Sequence, residues 1–208
     1  AFDAAGGKLL TLGAPGSGKT TILLELAQEL CDRAEQDAGA KVPVLFHLSS
    51  WEDTRQTFTE WLIVELNAKY AVPIEMGRQW VKNNQLLLLF DGLDELEPSR
   101  QEMCIQAINE LLQLDSHPAQ VVVCSRFEDY KNCNSRLKLK GAILLRPLTS
   151  SQIRDYLMGS RSRELWYSIE TEPPLMGLAK TPVLLSMMTL AYEEILIYSA
   201  MMECSLIY

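Results

Sequence analysis

A glycine-rich segment near the start of the chain has the composition and spacing of a phosphate-binding loop. Residues 13–20 read Gly-Ala-Pro-Gly-Ser-Gly-Lys-Thr, which fits the pattern Gly-x-x-x-x-Gly-Lys-Ser/Thr. The glycines let backbone N–H groups close around phosphate oxygens, and a helix that follows directs the positive end of its dipole at them. The Lys19 ammonium can reach the β- and γ-phosphates, and the Thr20 hydroxyl can ligate Mg²⁺. The residues predicted to bind the nucleotide are Gly13, Ala14, Pro15, Gly16, Ser17, Gly18, Lys19, Thr20 and Thr21.

A second segment places acidic residues directly after a run of apolar ones. Asp91 follows the apolar run 86–90, where a carboxylate can hold the magnesium directly or through water. Asp94 and Glu95 come next, and either one could orient or deprotonate an attacking water. The residues alone do not choose between these two acids, and each could instead be an acid at a helix N-terminus.

Arg126 follows a third apolar run, 121–124. In a doubly wound sheet, the carboxyl end of a strand faces the ligand crevice. A guanidinium at that position can sense the γ-phosphate through bidentate contacts, so Arg126 is a candidate catalytic residue. The alternative is a surface arginine paired with Glu128 or Asp129.

These segments need a scaffold, and the hydrophobic periodicity predicts an α/β one. The predicted strands are 8–12, 42–48, 86–90, 121–124 and 142–145, with helical spacing between them. Strands that alternate with helices predict a parallel sheet wrapped by helices. From Thr149 onward the pattern is helical only. We therefore predict a nucleotide-binding α/β domain over residues 1–148 and a helical subdomain over 149–208. The four tryptophans, Trp51, Trp61, Trp80 and Trp166, and also His47, are interpreted as core residues.

Composition narrows the class of protein. A net charge of −8 offers no electrostatic footprint for DNA or RNA, so we expect no direct nucleic-acid partner. The five cysteines are odd in number, form no Cys-x-x-Cys pair and accompany only two histidines, which disfavours zinc and a disulfide framework. Reduced thiols are typical of a cytoplasmic protein.

The end of the chain, residues 183–208, is almost entirely apolar. Its length suits a transmembrane helix, but Glu193 and Glu194 near its centre would be costly in a bilayer. We predict a buried helix or helix pair and no membrane insertion. The apolar last residues, without a polar tail, also predict that the chain is a fragment whose last helix packs against something absent.

Taken together, these segments resemble a NACHT domain, a branch of the STAND signalling ATPases within the P-loop superfamily. The resemblance spans about residues 8–190, and Asp-Gly-Leu-Asp-Glu at 91–95 is its most specific part. The segments that carry it are GAPGSGKTT (13–21), LLLLFDGLDEL (86–96), VVVCSR (121–126), LRPLTSSQIRDYL (145–157) and TPVLLSMM (181–188).

The resemblance implies a strand order of 5-1-4-3-2 and a role for each matching residue. Lys19 and Thr20 correspond to the phosphate and metal residues, Asp91 to the magnesium acid, and Arg126 to the sensor on the fourth strand. Pro182 looks like the helical-domain proline that touches adenine in this family. From the residues alone, Pro182 could instead be a proline at the first position of a helix.

The function implied is a regulatory switch. ATP/Mg²⁺ binding and slow ATP hydrolysis, a weak ATPase activity, would control self-association of a larger signalling protein that alternates between ADP and ATP states. The implied partners are a winged-helix domain, an effector domain and sensor repeats of the full-length protein. The alternatives are a nucleotide-locked oligomerisation scaffold without useful turnover and a P-loop phosphotransferase acting on a small acceptor. A nucleic-acid motor is disfavoured by the charge.

Overall fold

The computed structural model describes residues 1–37, 39–52, 56–113 and 119–205, with side chains as far as residue 195. The chain divides into two compact units. The first consists of Ala1–Ala14 and Lys19–Leu145, and the second of Pro15–Gly18 and Arg146–Tyr208. The domain boundary expected between residues 148 and 149 stays a prediction.

The first unit contains a five-stranded parallel sheet in the order β2-β3-β4-β1-β5. This is the order implied by the resemblance, counted from the opposite edge, and it confirms the predicted fold class. Every residue of β3 is buried, as its run of leucines predicts for a central strand covered on both faces. The strands are β1 (Lys8–Gly13), β2 (Val42–His47), β3 (Leu86–Asp91), β4 (Gln120–Arg126) and β5 (Gly141–Leu145).

The helices of the first unit begin where the local sequence favours helix initiation. Thr57 and Glu60 form a reciprocal capping box at the start of one helix, and Pro98 occupies the first position of another. The helices are α1 (Lys19–Gln36), α2 (Phe58–Tyr70), α3 (Ile74–Lys82), α4 (Pro98–Leu111) and α5 (Phe127–Asn132).

Two apolar clusters cover the two faces of the sheet. On one face, Leu23 and Leu30 of α1 pack in a cluster with the β3 residues Leu87 and Leu89. On the other face, an aromatic group has ring centroids 5.0 to 6.3 Å apart. Its members are Phe46, Phe58, Trp61 and Phe90. Because every strand pair is parallel, the carboxyl ends of the five strands lie on the same side of the sheet.

The tryptophan prediction is confirmed, whereas the prediction for His47 is wrong. Trp51, Trp61 and Trp166 are buried and Trp80 is partly buried. His47 is exposed because it is the last residue of β2, where the strand leaves the sheet.

The second unit contains the helices that were expected after residue 149. A capping box between Thr149 and Gln152 begins the first of them. The apolar core of this unit consists of Ile153, Leu157, Leu165, Trp166, Ile169, Ala179 and Leu185. The helices are α6 (Ser150–Met158), α7 (Arg163–Thr171), α8 (Pro173–Ala179) and α9 (Pro182–Ser205).

Helix α9 is only partly the buried helix that was predicted. Glu193 accepts a hydrogen bond from the fully buried Ser162 hydroxyl (3.2 Å), which gives that carboxylate a polar partner. Val183, Met187 and Leu190, spaced at four and three residues, are 46%, 61% and 63% exposed. The described part of the chain therefore does not cover this face, and its burial stays a prediction. The side chains expected to continue the apolar segment beyond residue 195 lie outside the described part.

A membrane-spanning helix requires both length and apolar composition. Within the described ranges, no single helix meets both requirements. The pair Pro173–Ala179 and Pro182–Ile195 meets them together but is bent by 114°.

Candidate nucleotide-binding site

The glycine-rich loop after β1 has a backbone that only glycine adopts without strain at two positions. Gly16 and Gly18 have φ values of +70° and +89°, in the left-handed region. Around Gly18, the position that a Cβ would take has no heavy atom within 4 Å. Helix α1 begins at Lys19, so its first N–H groups have no partner within the helix and are available to an anion. The loop therefore has the backbone form of an anion cradle.

The ammonium of Lys19 lies against the carbonyls at the start of the loop. Its Nζ donates hydrogen bonds to the Gly13 oxygen (3.3 Å) and to the Ala14 oxygen (3.1 Å). An ammonium carries three donors and no acceptor, so this positive charge can also turn to a phosphate oxygen. Pro15 of the loop and Thr21 in the first turn of α1 are exposed.

Ser17 provides a test of whether the loop fits a phosphate ligand. Its Oγ is buried without a hydrogen-bond partner. A buried hydroxyl left unpaired costs about 1–3 kcal/mol, so such groups in native proteins usually have a partner. A phosphate oxygen in the loop would supply an acceptor or, when protonated, a donor. The loop residues therefore fit the group that the sequence predicts.

The two residues predicted to hold magnesium are in direct contact. The Thr20 hydroxyl donates to Asp91 Oδ2 at 2.7 Å, although the residues are 71 positions apart. Asp91 is buried at the end of β3. Hydroxyl and carboxylate oxygens are ligands that Mg²⁺ accepts, with waters and substrate phosphates completing its coordination. Over the ranges that the structure describes, no cluster of three or more His, Cys, Asp or Glu side chains could hold a metal alone. Thr20 and Asp91 thus fit a metal that arrives with a nucleotide.

Arg126 is paired with Asp94. Arg126 Nε lies 2.8 Å from Asp94 Oδ2, and the Arg126 main-chain N–H donates to Asp94 Oδ1 at 3.0 Å. Glu128, considered as a surface partner of Arg126, lies instead 3.9 Å from the Lys131 ammonium. Arg126 is also the register partner of Gly13 on β1. Arg126 and the first residue of the phosphate loop are therefore neighbours at the carboxyl ends of β4 and β1.

Glu95 takes a different position from Asp94 in the short turn between β3 and α4. The turn Leu93–Glu95 is a single 3₁₀ turn that follows Gly92, whose φ is +80°. A Cβ on Gly92 would lie 2.8 Å from Glu95 Oε2, so a larger residue would displace this carboxylate. Glu95 itself is exposed. Glycine at position 92 therefore allows Glu95 to fold back toward the end of β3.

Pro182 is the first residue of α9 and precedes a residue that contacts the loop. The Val183 N–H donates to the Gly16 carbonyl at 3.3 Å. A Cβ on Gly16 would lie 2.4 Å from Val183 Cγ1, so this close approach also requires glycine. Both interpretations of Pro182 agree with this position, and its contact with adenine stays a prediction.

Two residues near the site were not assigned to it from the sequence. His47 is the register partner of Asp91, and its position at the end of a predicted strand was a usable signal. Cys124 Sγ lies 4.0 Å from the Lys19 carbonyl oxygen. Burial, with a smaller contribution from the charge of Asp91, raises the pKa of the Cys124 thiol to about 12. The Cys124 thiol is therefore protonated at neutral pH.

Two of the solved structures that this chain matches come from Aeropyrum pernix and Pyrobaculum aerophilum. The Orc1 protein of Aeropyrum pernix, solved in complex with DNA, matches 73% of this chain with a TM-score of 0.50 and 19% identity. Cdc6p of Pyrobaculum aerophilum matches 72% of it with a TM-score of 0.44 and 20% identity. This chain spans 42% and 41% of those two chains. At such identities the likeness shows the fold alone.

Comparison with protein families is more specific than comparison of structures. No curated protein matches the sequence. The model of the NACHT domain family matches residues 8–164, a range that includes the phosphate loop, the acidic turn after β3 and Arg126. Since the match extends over more than half of the sequence, this chain belongs to the NACHT domain family of P-loop NTPases.

Proposed function

We propose that this chain is the nucleotide-binding part of a regulatory switch. It binds ATP or ADP with Mg²⁺, hydrolyses ATP slowly, and so controls the self-association of a larger cytoplasmic signalling protein. The observation that carries the proposal is the 2.7 Å contact between Thr20 and Asp91 at the end of the glycine-rich loop. A hydroxyl and a carboxylate in this arrangement hold the magnesium of a bound triphosphate in P-loop proteins.

Each residue of the loop then has a role toward the nucleotide. The backbone N–H groups of the loop and of the first turn of α1 bind the phosphates, and Lys19 neutralises the β- and γ-phosphates. Ser17 gains a partner for its buried hydroxyl. Pro182 contacts the adenine, a role supported by the hydrogen bond from the next residue to Gly16.

The residues that carry out and control hydrolysis lie at the carboxyl ends of β3 and β4. Arg126 senses the γ-phosphate, and an acid of the turn Leu93–Glu95 orients the attacking water. ATP and ADP differ in the γ-phosphate, so a residue that contacts this group makes the conformation depend on the nucleotide. The winged-helix, effector and sensor domains that family resemblance implies would transmit this difference.

Native mass spectrometry of the protein as purified tests the binding part of this proposal. We expect a mass increment equal to an adenine nucleotide with magnesium, which would also decide between adenine and guanine. Phosphate release from added ATP should be slow and magnesium-dependent. Retained ADP without phosphate release over hours would favour a locked scaffold, and transfer to a small acceptor would favour a phosphotransferase. Absence of any nucleotide binding would refute the proposal.

A further inference from the structure

We propose that Asp94 is the positioning residue of Arg126 and is not the acid that acts on the attacking water. The inference rests on the proposed function and deepens it, because it divides the work between the two acids of the turn Leu93–Glu95.

The first observation is that both oxygens of the Asp94 carboxylate are occupied. Oδ1 accepts the main-chain N–H of Arg126 at 3.0 Å, and Oδ2 lies 2.8 Å from Nε of the same residue. The Asp94 side chain is only 7% exposed. A carboxylate with both oxygens engaged and little solvent access is poorly placed to accept a proton from water. Both oxygens of the Asp94 carboxylate thus contact Arg126.

The second observation concerns what the pairing does to the arginine. A guanidinium has five N–H donors, and Nε is the atom that lies at ion-pair distance from Asp94, 2.8 Å from Oδ2. The two Nη groups at the outer end are the groups that can bind a phosphate through two parallel hydrogen bonds. The Arg126 side chain is 48% exposed, and without a partner it would sample many rotamers. The pairing restricts it to those compatible with the Nε contact.

The third observation is the position of the Asp94–Arg126 contact, at the end of β4 and beside the phosphate loop. The bond from the Arg126 main chain anchors Asp94 to the end of β4, and Gly13 at the start of the phosphate loop is the register partner of Arg126. The contact therefore links the turn after β3 to the end of β4, beside the strand that leads into the loop. Loss of the Asp94 charge would free the guanidinium without removing it.

The assignment leaves Glu95 as the acid available to water. Glu95 is exposed, and its carboxylate lies over Gly92, where Oε2 is 2.8 Å from the position of a Cβ. The two adjacent acids therefore have separate tasks, with Asp94 holding the sensor and Glu95 facing the solvent side of the site.

The test is a double-mutant cycle that measures the ratio of the ADP dissociation constant to that of a non-hydrolysable ATP analogue. The proteins are the wild type, D94N, R126A and the D94N/R126A double variant, titrated by calorimetry with Mg²⁺ present. We expect R126A and D94N each to lower this ratio by about 10-fold, the size of one charge-assisted contact. D94N should lower it no further in the R126A background, because residues that act through one contact are not additive.

Two further variants accompany the cycle, one as a control and one as a substitute for D94N. E128Q removes an exposed acid in the first turn of α5, two residues after Arg126, and should leave the ratio unchanged. D94E, which keeps the charge but displaces the carboxylate, replaces D94N if the latter does not fold, and should also lower the ratio. The ratio reports γ-phosphate sensing, which a general loss of stability would not change selectively.

The outcomes separate this inference from the proposed function. A D94N or D94E ratio equal to that of the wild type would overturn the inference, as would an equal effect of D94N in both backgrounds. If the wild type binds neither nucleotide, the proposed function fails and this inference fails with it. Normal binding with additive effects overturns the role of Asp94 alone.

Discussion

The phosphate loop and the ends of β3 and β4 belong to one candidate site but are built differently. In the loop, the Lys19 ammonium contacts carbonyls only five and six residues away. At the strand ends, Asp94 and Arg126 are 32 residues apart, and Asp91 meets Thr20 across 71 residues. The loop is a local structure that depends on glycine and helix initiation. The strand ends become a site only when the sheet is assembled.

The local loop and the assembled strand ends are suited to different tasks, phosphate binding and γ-phosphate sensing. A local cradle of backbone N–H groups binds phosphate in any nucleotide, so it supplies affinity without distinguishing ATP from ADP. Side chains from separate strands can respond to the γ-phosphate, because their contacts depend on what occupies the space between them. We therefore expect changes in the loop to weaken nucleotide binding strongly, and changes at the strand ends to alter hydrolysis and sensing with a smaller effect on binding.

The largest effect is expected for Lys19→Ala. Loss of the ammonium removes contacts to two phosphates, and at about 1.5 kcal/mol each this weakens ATP binding by about 100-fold. Titration calorimetry with MgATP measures the change. Lys131→Ala, which removes an exposed lysine paired only loosely with Glu128 at 3.9 Å, is the matched control. Equal ATP affinity in K19A and wild type would remove the basis of the comparison.

An effect of similar size, but on rate, is expected for Glu95→Gln. Loss of a general base lowers the rate by about 100-fold, whereas ATP affinity should stay within about 3-fold of the wild type. Single-turnover phosphate release measures the first quantity and calorimetry the second. Glu97→Gln, at the exposed N-cap of α4, is the control. The comparison is contradicted if E95Q releases phosphate as fast as the wild type.

A smaller effect is expected for Asp91→Asn, at the point where loop and strand end meet. Removal of the metal-facing charge should weaken MgATP binding by about 10-fold, since one charge-assisted contact is lost. Binding measured with and without a chelator should show a reduced magnesium dependence. Asp129→Asn, a half-buried acid of α5, serves as reference. The same chelator response in D91N and wild type would exclude Asp91 from the metal site.

The smallest effect is expected for Glu102→Gln, which lies in neither region and tests whether stability alone changes binding. Hydrogen bonds from the Ser135 side chain and from the main-chain N–H groups of Asn134 and Ser135 lower the pKa of Glu102 in the folded protein. A lowered folded pKa stabilises the protein above the unfolded pKa, and this contribution is lost as the pH falls through the folded pKa.

Thermal unfolding measured from pH 7 to pH 3 follows this contribution. E102Q should have a slightly lower Tm than the wild type at pH 7, and the difference should disappear at the acid end. Its ATP affinity at pH 7 should equal that of the wild type. A marked loss of affinity in E102Q would show that the effects of K19A and D91N do not report on the site alone.

Much of this architecture could be predicted from patterns within short segments. The loop 13–20, the five strands, the helix start at Pro98 and the acidic turn after β3 each depend on residues near in sequence. The family resemblance also implied the strand order, which the structure confirms. Which face of α9 stays uncovered within the described residues could not be predicted, because apolar composition does not reveal which face of a helix other residues cover.

Three features of the site and its surroundings could be determined only from the folded structure. His47 was interpreted as a core residue from its apolar neighbours, but its place at the end of β2 exposes it. From the sequence, Glu128 and Asp129 were the acids considered as partners of Arg126. The sequence also did not decide whether Asp94 or Glu95 acts on the attacking water. The structure pairs Arg126 with Asp94 and leaves Glu95 exposed.

The sequence by itself determined that the chain has a phosphate loop, because glycine conformations and helix initiation are local properties. Only the tertiary structure decided which acid contacts Arg126. Parallel strands joined by long crossovers bring their carboxyl ends together through sheet order and register, which place β4 between β1 and β3. A contact of 2.8 Å between side chains 32 residues apart depends on that placement and on the direction of each side chain in a single turn.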